Sequence, residues 1–138
     1  MKQHSSPCGG CPFSRAIAPG ELGGGRPETY VGQAVGPFWL PCHCSANYRG
    51  KETVASEVSQ CAGAAIFRAN IGVQMPPALL SLPRDTEKVF STLADFWSHH
   101  TKTSRINAVI AMRPSIVREL AERELADANV KLQLIPRP

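Results

Sequence analysis

Four cysteines in three separate segments are the residues whose type and spacing indicate chemistry. Cys8 and Cys11 form a Cys-x-x-Cys turn followed by proline, Cys42 opens a Cys-His-Cys segment, and Cys61 opens a Cys-Ala-Gly segment. A Cys-x-x-Cys turn directs two thiolates to one point, and the two glycines inside this one allow the tight backbone that is needed. Because two more cysteines would complete a four-sulfur cage, the pattern predicts a metal or iron–sulfur site.

The spacing leaves the identity of the metal open. Structural zinc commonly uses two compact Cys-x-x-Cys turns, whereas here only residues 8–11 have that form, and Cys42 and Cys61 come singly. One such turn with two isolated cysteines resembles, in spacing alone, some [4Fe-4S] proteins such as iron–sulfur uracil-DNA glycosylases. The proline after the turn is similar to the Cys-Pro ending of ferredoxin motifs. A [4Fe-4S] cluster and Zn²⁺ are therefore both candidate cofactors.

Two residues beside Cys42 are candidate substitutes in the ligand set. His43 would give a Cys3His zinc site, although a histidine in such a place more often supports a ligand than binds the metal. Cys44 is more often a spare thiol than a ligand, but it would be able to replace Cys42. His99 and His100 end a predicted helix, where imidazolium groups favour the negative end of the helix dipole, so we expect them to be structural.

The composition indicates one small domain spanning residues 1–138. The chain is 43% hydrophobic and has a net charge of +4, which permits a nucleic acid or an acidic protein as partner without requiring one. The first residues lack the apolar region of a secretory signal, and no stretch approaches about 18 uninterrupted apolar residues. We therefore expect a cytoplasmic protein with no membrane partner, and in a reducing compartment its five cysteines are better ligands than disulfides.

The first half of the chain, residues 8–63, is predicted to be loop-rich and metal-binding. A first helix is expected to start at Pro27 and to stop at Gly36, and residues 38–40 form a short extended run that leads to Cys42. A second helix starts either at Cys61, which places the thiolate at the positive end of the helix dipole, or earlier, near Thr53. The first alternative is favoured because a glycine two residues after the cysteine weakens a continuous helix.

The second half, residues 76–138, is predicted to be helical with a terminal strand. Asp85 is a candidate N-cap for a helix reaching His99, and the apolar residues of 106–110 suit either a helix or a strand. An amphipathic helix should start at Pro114 and end at Asn129, and residues 130–134 alternate like a strand. The expected fold is mainly α with short β pieces, a single domain stapled by a four-cysteine metal site.

The order Cys-x-x-Cys-Pro, Cys-His, Cys-Ala-Gly over residues 8–63 resembles a family of small proteins found in bacteria and their phages. The resemblance implies Cys8, Cys11, Cys42 and Cys61 as the ligands, with Cys44 outside the set. It brings no established activity with it. The association with phages implies a virion component or a factor that acts on host machinery, and hence a virion location as the alternative to the cytoplasm.

No enzymatic motif accompanies the cysteines. The sequence lacks Gly-x-Ser-x-Gly, a P-loop, Gly-x-Gly-x-x-Gly and His-Glu-x-x-His, and four thiolates would close a metal's coordination shell. We therefore expect a non-enzymatic metal-binding interaction or structural protein with no small-molecule substrate. The alternatives are a nucleic-acid-associated regulator and an iron–sulfur redox sensor or electron carrier. A protein partner or self-association is expected through the leucines of residues 76–83 or through the terminal strand.

Overall fold

The computed structural model describes residues 4–42 and 59–131. Within these ranges, the only strand-like pairings are two isolated antiparallel bridges, Ser14 with Val89 and Pro41 with Gln60. This confirms the prediction of a mainly helical small domain with short extended pieces. The helices of the described part are α1 (Pro27–Val35), α2 (Ala62–Ile71), α3 (Leu93–Thr101), α4 (Arg105–Ala111) and α5 (Pro114–Lys131).

The first two helices begin where local sequence signals predict. α1 begins at Pro27, which suits a first turn because proline lacks the N–H that would have no partner there. α2 begins directly after Cys61, its N-cap residue, so the alternative start near Thr53 is wrong. Gly72 ends α2 in the left-handed region, with φ of 78°, which glycine adopts without steric cost.

The predicted start of α3 is wrong. The helix begins at Leu93, after Thr92, whose hydroxyl accepts a hydrogen bond from the backbone N–H of Asp95 at 3.0 Å. Asp85 caps a short turn instead, because its Oδ1 accepts from the N–H groups of Glu87 and Lys88 at 3.1 and 3.0 Å. The open choice between helix and strand at residues 106–110 is resolved as the helix α4.

The predicted end of α5 is also wrong. The helix continues through Asn129 to Lys131, so the strand expected at 130–134 is helical in its first two residues, and residues 132–138 lie outside the described part of the chain. Each residue that extends a helix adds one backbone hydrogen bond, whereas a strand needs a neighbour to pair with. Within the described ranges no such neighbouring strand exists.

The core is built around aromatic side chains that come from separate segments. Phe13, Phe67 and Phe96 are almost completely buried, and their ring centroids lie 5.1 to 5.7 Å apart. Phe90 and Tyr30 pack edge-on against this group. Phe13 lies two residues after Cys11, the last residue of the Cys-x-x-Cys turn. Its packing therefore holds the turn against α2 and α3.

The two histidines at the end of α3 hold the loop after the Cys-x-x-Cys turn. His100 Nδ1 accepts from the N–H of Gly20 at 3.1 Å, so its Nε2–H donates to the carbonyl of Pro12 at 2.7 Å. His99 Nε2 lies 2.6 Å from the carbonyl oxygen of Ile17. Burial lowers the pKa of His100, which favours the neutral ring that these contacts require. The histidines therefore contact backbone groups of the loop.

The three leucines of residues 76–83 are covered to different extents. Leu79 is buried, and Leu80 and Leu82 are half-buried. An interaction through this segment stays a prediction. Within the described residues, no helix combines the length and the apolar character that crossing a membrane requires. The large apolar side chains that are exposed in the described part are Ile106, Val109, Ile110 and Leu125.

Candidate metal centre

Cys11 and Cys61, which are 50 residues apart in the sequence, have their sulfur atoms 3.7 Å apart in the core. Cys11 is fully buried and Cys61 is 8% exposed. Cys11 lies at the end of the Cys-x-x-Cys turn, where its N–H donates to the carbonyl of Cys8 at 3.2 Å. The structure thus brings together two of the four predicted ligands from the two ends of the motif.

The position of Cys61 at the start of α2 stabilises its thiolate. Its Sγ accepts a hydrogen bond from the N–H of Ala64 at 3.3 Å, as an N-cap side chain does. The pKa of Cys61 is lowered, first by the hydrogen bond with Cys11 and then by the N–H groups of Ala64 and Gly63 and the charge of Arg68, although burial opposes this. The hydrogen bond with Cys61 and burial strongly raise the pKa of Cys11. Negative charge at this pair is therefore favoured at Cys61.

Gly63 is a structural requirement of this pair that the motif alone does not reveal. A Cβ atom at residue 63 would overlap the Sγ of Cys11 and would also approach the Cβ of Phe13 at 3.5 Å. The absence of a side chain therefore lets the Cys-x-x-Cys turn reach the first turn of α2. In the sequence, the only indication that residue 63 must be small is that the glycine is part of the Cys-Ala-Gly segment.

Cys42 is held beside Cys61 by the bridge between Pro41 and Gln60. The N–H of Cys42 donates to the carbonyl of Ser59, and the N–H of Cys61 donates to the carbonyl of Leu40, both at 2.8 Å. In this register Cys42 and Cys61 are diagonal neighbours on one face, a relationship that separates Cα atoms by about 7–8 Å. The Cys42 side chain is 4% exposed.

The four predicted ligands do not form a closed set in the structure. Cys8, at the start of the Cys-x-x-Cys turn, is half-buried. Among residues 4–42 and 59–131, no three histidine, cysteine, aspartate or glutamate side chains are grouped so as to hold one metal ion. The substitutes His43 and Cys44 lie outside the described residues.

Arg68 is the charged residue near this centre that sequence reasoning missed. It is 3% exposed, and its guanidinium donates to four backbone carbonyls at the end of α1 and just beyond it: Ala34 at 3.0 Å, Gln33 at 3.1 Å, Gly36 at 3.5 Å and Phe38 at 2.6 Å. Burial lowers its pKa to about 10, and the Cys61 charge opposes that shift. The only signal was one arginine in a helix of small and apolar residues.

Comparison with protein families, with curated proteins and with solved structures found no match in any of the three. The resemblance over residues 8–63 therefore stays a prediction. Function has to be argued from the cysteine pair and its surroundings.

Proposed function

We propose that the protein is a non-enzymatic metal-binding domain in which Cys8, Cys11, Cys42 and Cys61 hold one Zn²⁺ ion. The observation that carries this proposal is the 3.7 Å separation of the Cys11 and Cys61 sulfurs. Zinc is bound tetrahedrally with Zn–S bonds of about 2.3 Å, which places two sulfurs on one ion about 3.8 Å apart. The two sulfurs are therefore already spaced as neighbouring ligands of a single ion.

The same distance favours zinc over an iron–sulfur cluster. In a [4Fe-4S] cluster each cysteine binds a different iron and points away from the cluster, so the cysteine sulfurs lie further apart than two ligands of one ion. The Cys11 and Cys61 sulfurs would have to separate to hold a cluster. A single zinc ion needs only that Cys8, at the other end of the turn, and Cys42, across the bridge, move toward them.

The surroundings of the pair suit a negatively charged metal–thiolate group. Zn²⁺ with four thiolates carries two negative charges, and Cys11, whose pKa is raised, must give up its proton to bind the ion. The first turn of α2 and the buried guanidinium of Arg68 both favour negative charge at Cys61. The ion would supply cross-links between the N-terminal turn, the 40–42 segment and α2.

Metal analysis of the protein purified without oxygen tests the proposal. We expect a colourless protein with about one zinc per chain, and a Co²⁺-substituted form with the absorption of tetrahedral cobalt thiolate. A brown protein with about four irons per chain would replace zinc by a cluster and would favour the redox alternative. A correctly folded protein that binds neither metal would overturn the metal-binding proposal itself.

Substitution of single cysteines identifies the ligands. Cys61→Ser is the sharpest variant, because a serine hydroxyl is a good N-cap and can accept from the N–H of Ala64, so the start of α2 is kept while the thiolate is lost. We expect this variant and the serine variants of Cys8, Cys11 and Cys42 to lose zinc. Cys44→Ser is the matched control and should keep it. Loss of zinc in the Cys44 variant with retention in Cys42→Ser would exchange those two ligands.

The surface of α4 supports a second part of the proposed function, which is binding of a protein partner. Ile106, Val109 and Ile110 recur at helical spacing and are 76%, 54% and 55% exposed. Residues 96–118 around them contain four cations and no aspartate or glutamate, and one of these cations, Arg105, pairs with Asp95 at 2.8 Å. We propose that this α4 surface binds a protein segment with acidic and apolar side chains, because exposed aliphatic groups suit a protein partner better than a nucleic acid.

A further inference from the structure

A pocket of about 290 Å³ lies between the second half of α2 and the segment 73–81 that follows it. Its lining combines apolar and polar groups. Leu79, Leu80, Val73 and Met75 lie on one side, with Gln74 and Ser81, and Ala65 and Ala69 of α2 lie on the other. Arg68 is the charged residue in the lining. A small ligand with an acidic group and a short apolar chain suits such a mixed lining with one cation.

The guanidinium of Arg68 has unused hydrogen-bonding capacity. Its bonds to the four carbonyls at the end of α1 and just beyond it use Nε and Nη2, and Nη1 donates to no acceptor within the part of the chain that the structure describes. No carboxylate is paired with Arg68 among the described residues either. The carbonyls after α1 offset part of its charge, but a buried cation still gains from a bound anion.

We propose that this pocket binds a small aliphatic carboxylate, whose oxygens accept hydrogen bonds from Nη1 of Arg68 and whose chain packs against Leu79 and Val73. The volume suits a molecule of a few carbon atoms and not a nucleotide. Arg68 follows Cys61 by two turns of α2, about 10 Å along the axis, so the pocket is separate from the cysteine pair. This inference goes beyond metal binding and does not depend on it.

A carboxylate fits this site better than a phosphate. The guanidinium of one arginine carries one positive charge, which matches the single charge of a carboxylate. Phosphate sites usually combine several donors or a helix N-terminus. The same carboxylate group is present in free short-chain acids and at the C-terminus of a peptide. Both a free acid and a peptide acid are therefore needed to test the site.

The test is calorimetric titration of the full chain, as purified, with hexanoate, hexanamide and inorganic phosphate. Hexanoate should bind saturably, hexanamide at least tenfold more weakly, and phosphate not at all. The peptide acetyl-Ala-Ala-Leu and its C-terminal amide separate the two sources, because tighter binding of the peptide acid would assign the site to a chain terminus. Equal binding of hexanoate and hexanamide, or no binding of either acid, would overturn the proposal.

Ala69→Leu fills the pocket while leaving the bonds of Arg68 in place, and it should weaken hexanoate binding at least tenfold. Ala126→Leu makes the same change on an exposed position of α5 and should bind as the natural sequence does. If Ala69→Leu does not fold, amide chemical shifts of the unmodified protein give the answer. Hexanoate should then shift the resonances of residues 73–81 and not those of α4, and the reverse pattern would refute the site.

Discussion

Gly63 lies against the sulfur of Cys11 so closely that a Cβ atom at residue 63 would overlap it. This contact joins the Cys-x-x-Cys turn to the first turn of α2, and it places the Cys11 sulfur 3.7 Å from that of Cys61. The glycine of the Cys-Ala-Gly segment is therefore needed for space, since its backbone is helical and requires no unusual conformation. The sulfur pair depends on a residue that carries no side chain.

Gly63→Ala should destabilise the protein and weaken metal binding together. The added methyl group must displace a buried sulfur in a packed core, and overpacking of this kind costs about 1–3 kcal/mol. Chemical denaturation and zinc titration of the same variant measure the two effects. Gly9→Ala is the matched control, because a Cβ at residue 9 would meet no atom within 4 Å and the φ of Gly9 lies outside the left-handed region, so the turn does not require glycine there. Unchanged stability and zinc affinity in Gly63→Ala would show that the close approach of turn and helix is not needed.

Sequence signals found those parts of the fold that depend on a few neighbouring residues. Proline at the first turn of α1 and a cysteine at the start of α2 each act within one helical turn, and both predictions are confirmed. The start of α3 was mispredicted because Asp85 has the chemistry of an N-cap and uses it in a separate short turn. Both Asp85 and Thr92 are good caps, and only tertiary packing decides between them.

The candidate site was predicted as four equal cysteines, and the structure distinguishes among them. The proximity of Cys11 and Cys61 depends on the aromatic packing of Phe13 and on the small volume of Gly63, and neither is visible in cysteine spacing. Arg68 could not be found from sequence, because its partners at the end of α1 are about 30 residues away. Such long-range contacts follow only from the assembled core.

Arg68→Met should destabilise the protein strongly, by about 3 kcal/mol or more. The variant keeps the length of the side chain but leaves the buried carbonyls after α1 without their donor, and unpaired buried polar groups are costly. Arg123→Met is the control, since Arg123 is 60% exposed and pairs with Glu119 in solvent. Urea denaturation compares the two variants. Similar stabilities would mean that water replaces the guanidinium at the end of α1.

Substitution of Ile106 and Ile110 together by serine should leave stability within about 0.5 kcal/mol, because both side chains are more than half exposed. The same change at Leu79, which is 6% exposed, should cost about 2–5 kcal/mol. Thermal denaturation measures both. If the α4 surface binds an acidic and apolar protein segment, the Ile106/Ile110 variant loses that partner, and the natural protein releases it as salt is raised.

Variants that remove only positive charge from the α4 surface test the role of its cations separately. Lys102→Ser and Arg113→Ser remove two exposed cations and leave the three apolar side chains in place. These variants should slow association and reduce its dependence on salt, with a smaller effect on dissociation. Partner binding that survives loss of both isoleucines and responds only to the cations would favour the nucleic-acid alternative.

Acid should destabilise the protein through His100. Burial lowers the pKa of His100 below its ordinary value of 6.5, so between those two pKa values the unfolded chain binds more protons than the folded one. The free energy of unfolding should therefore fall as the pH drops below about 6.5, by up to about 1.4 kcal/mol per pH unit. Protonation would place a proton on Nδ1, which accepts from the N–H of Gly20, and would charge a ring packed against His99.

His100→Gln isolates this effect, because glutamine can donate to the carbonyl of Pro12 but does not titrate. Cys61, whose pKa is lowered, also binds a proton in acid, but both proteins contain it, so the difference between the two proteins reports on His100. Urea denaturation from pH 7.5 to 5 should give a steeper loss for the natural protein than for the glutamine variant. Parallel curves would mean that the pKa of His100 is the same in the folded and the unfolded chain, so that the ring is protonated in the folded state without loss of stability.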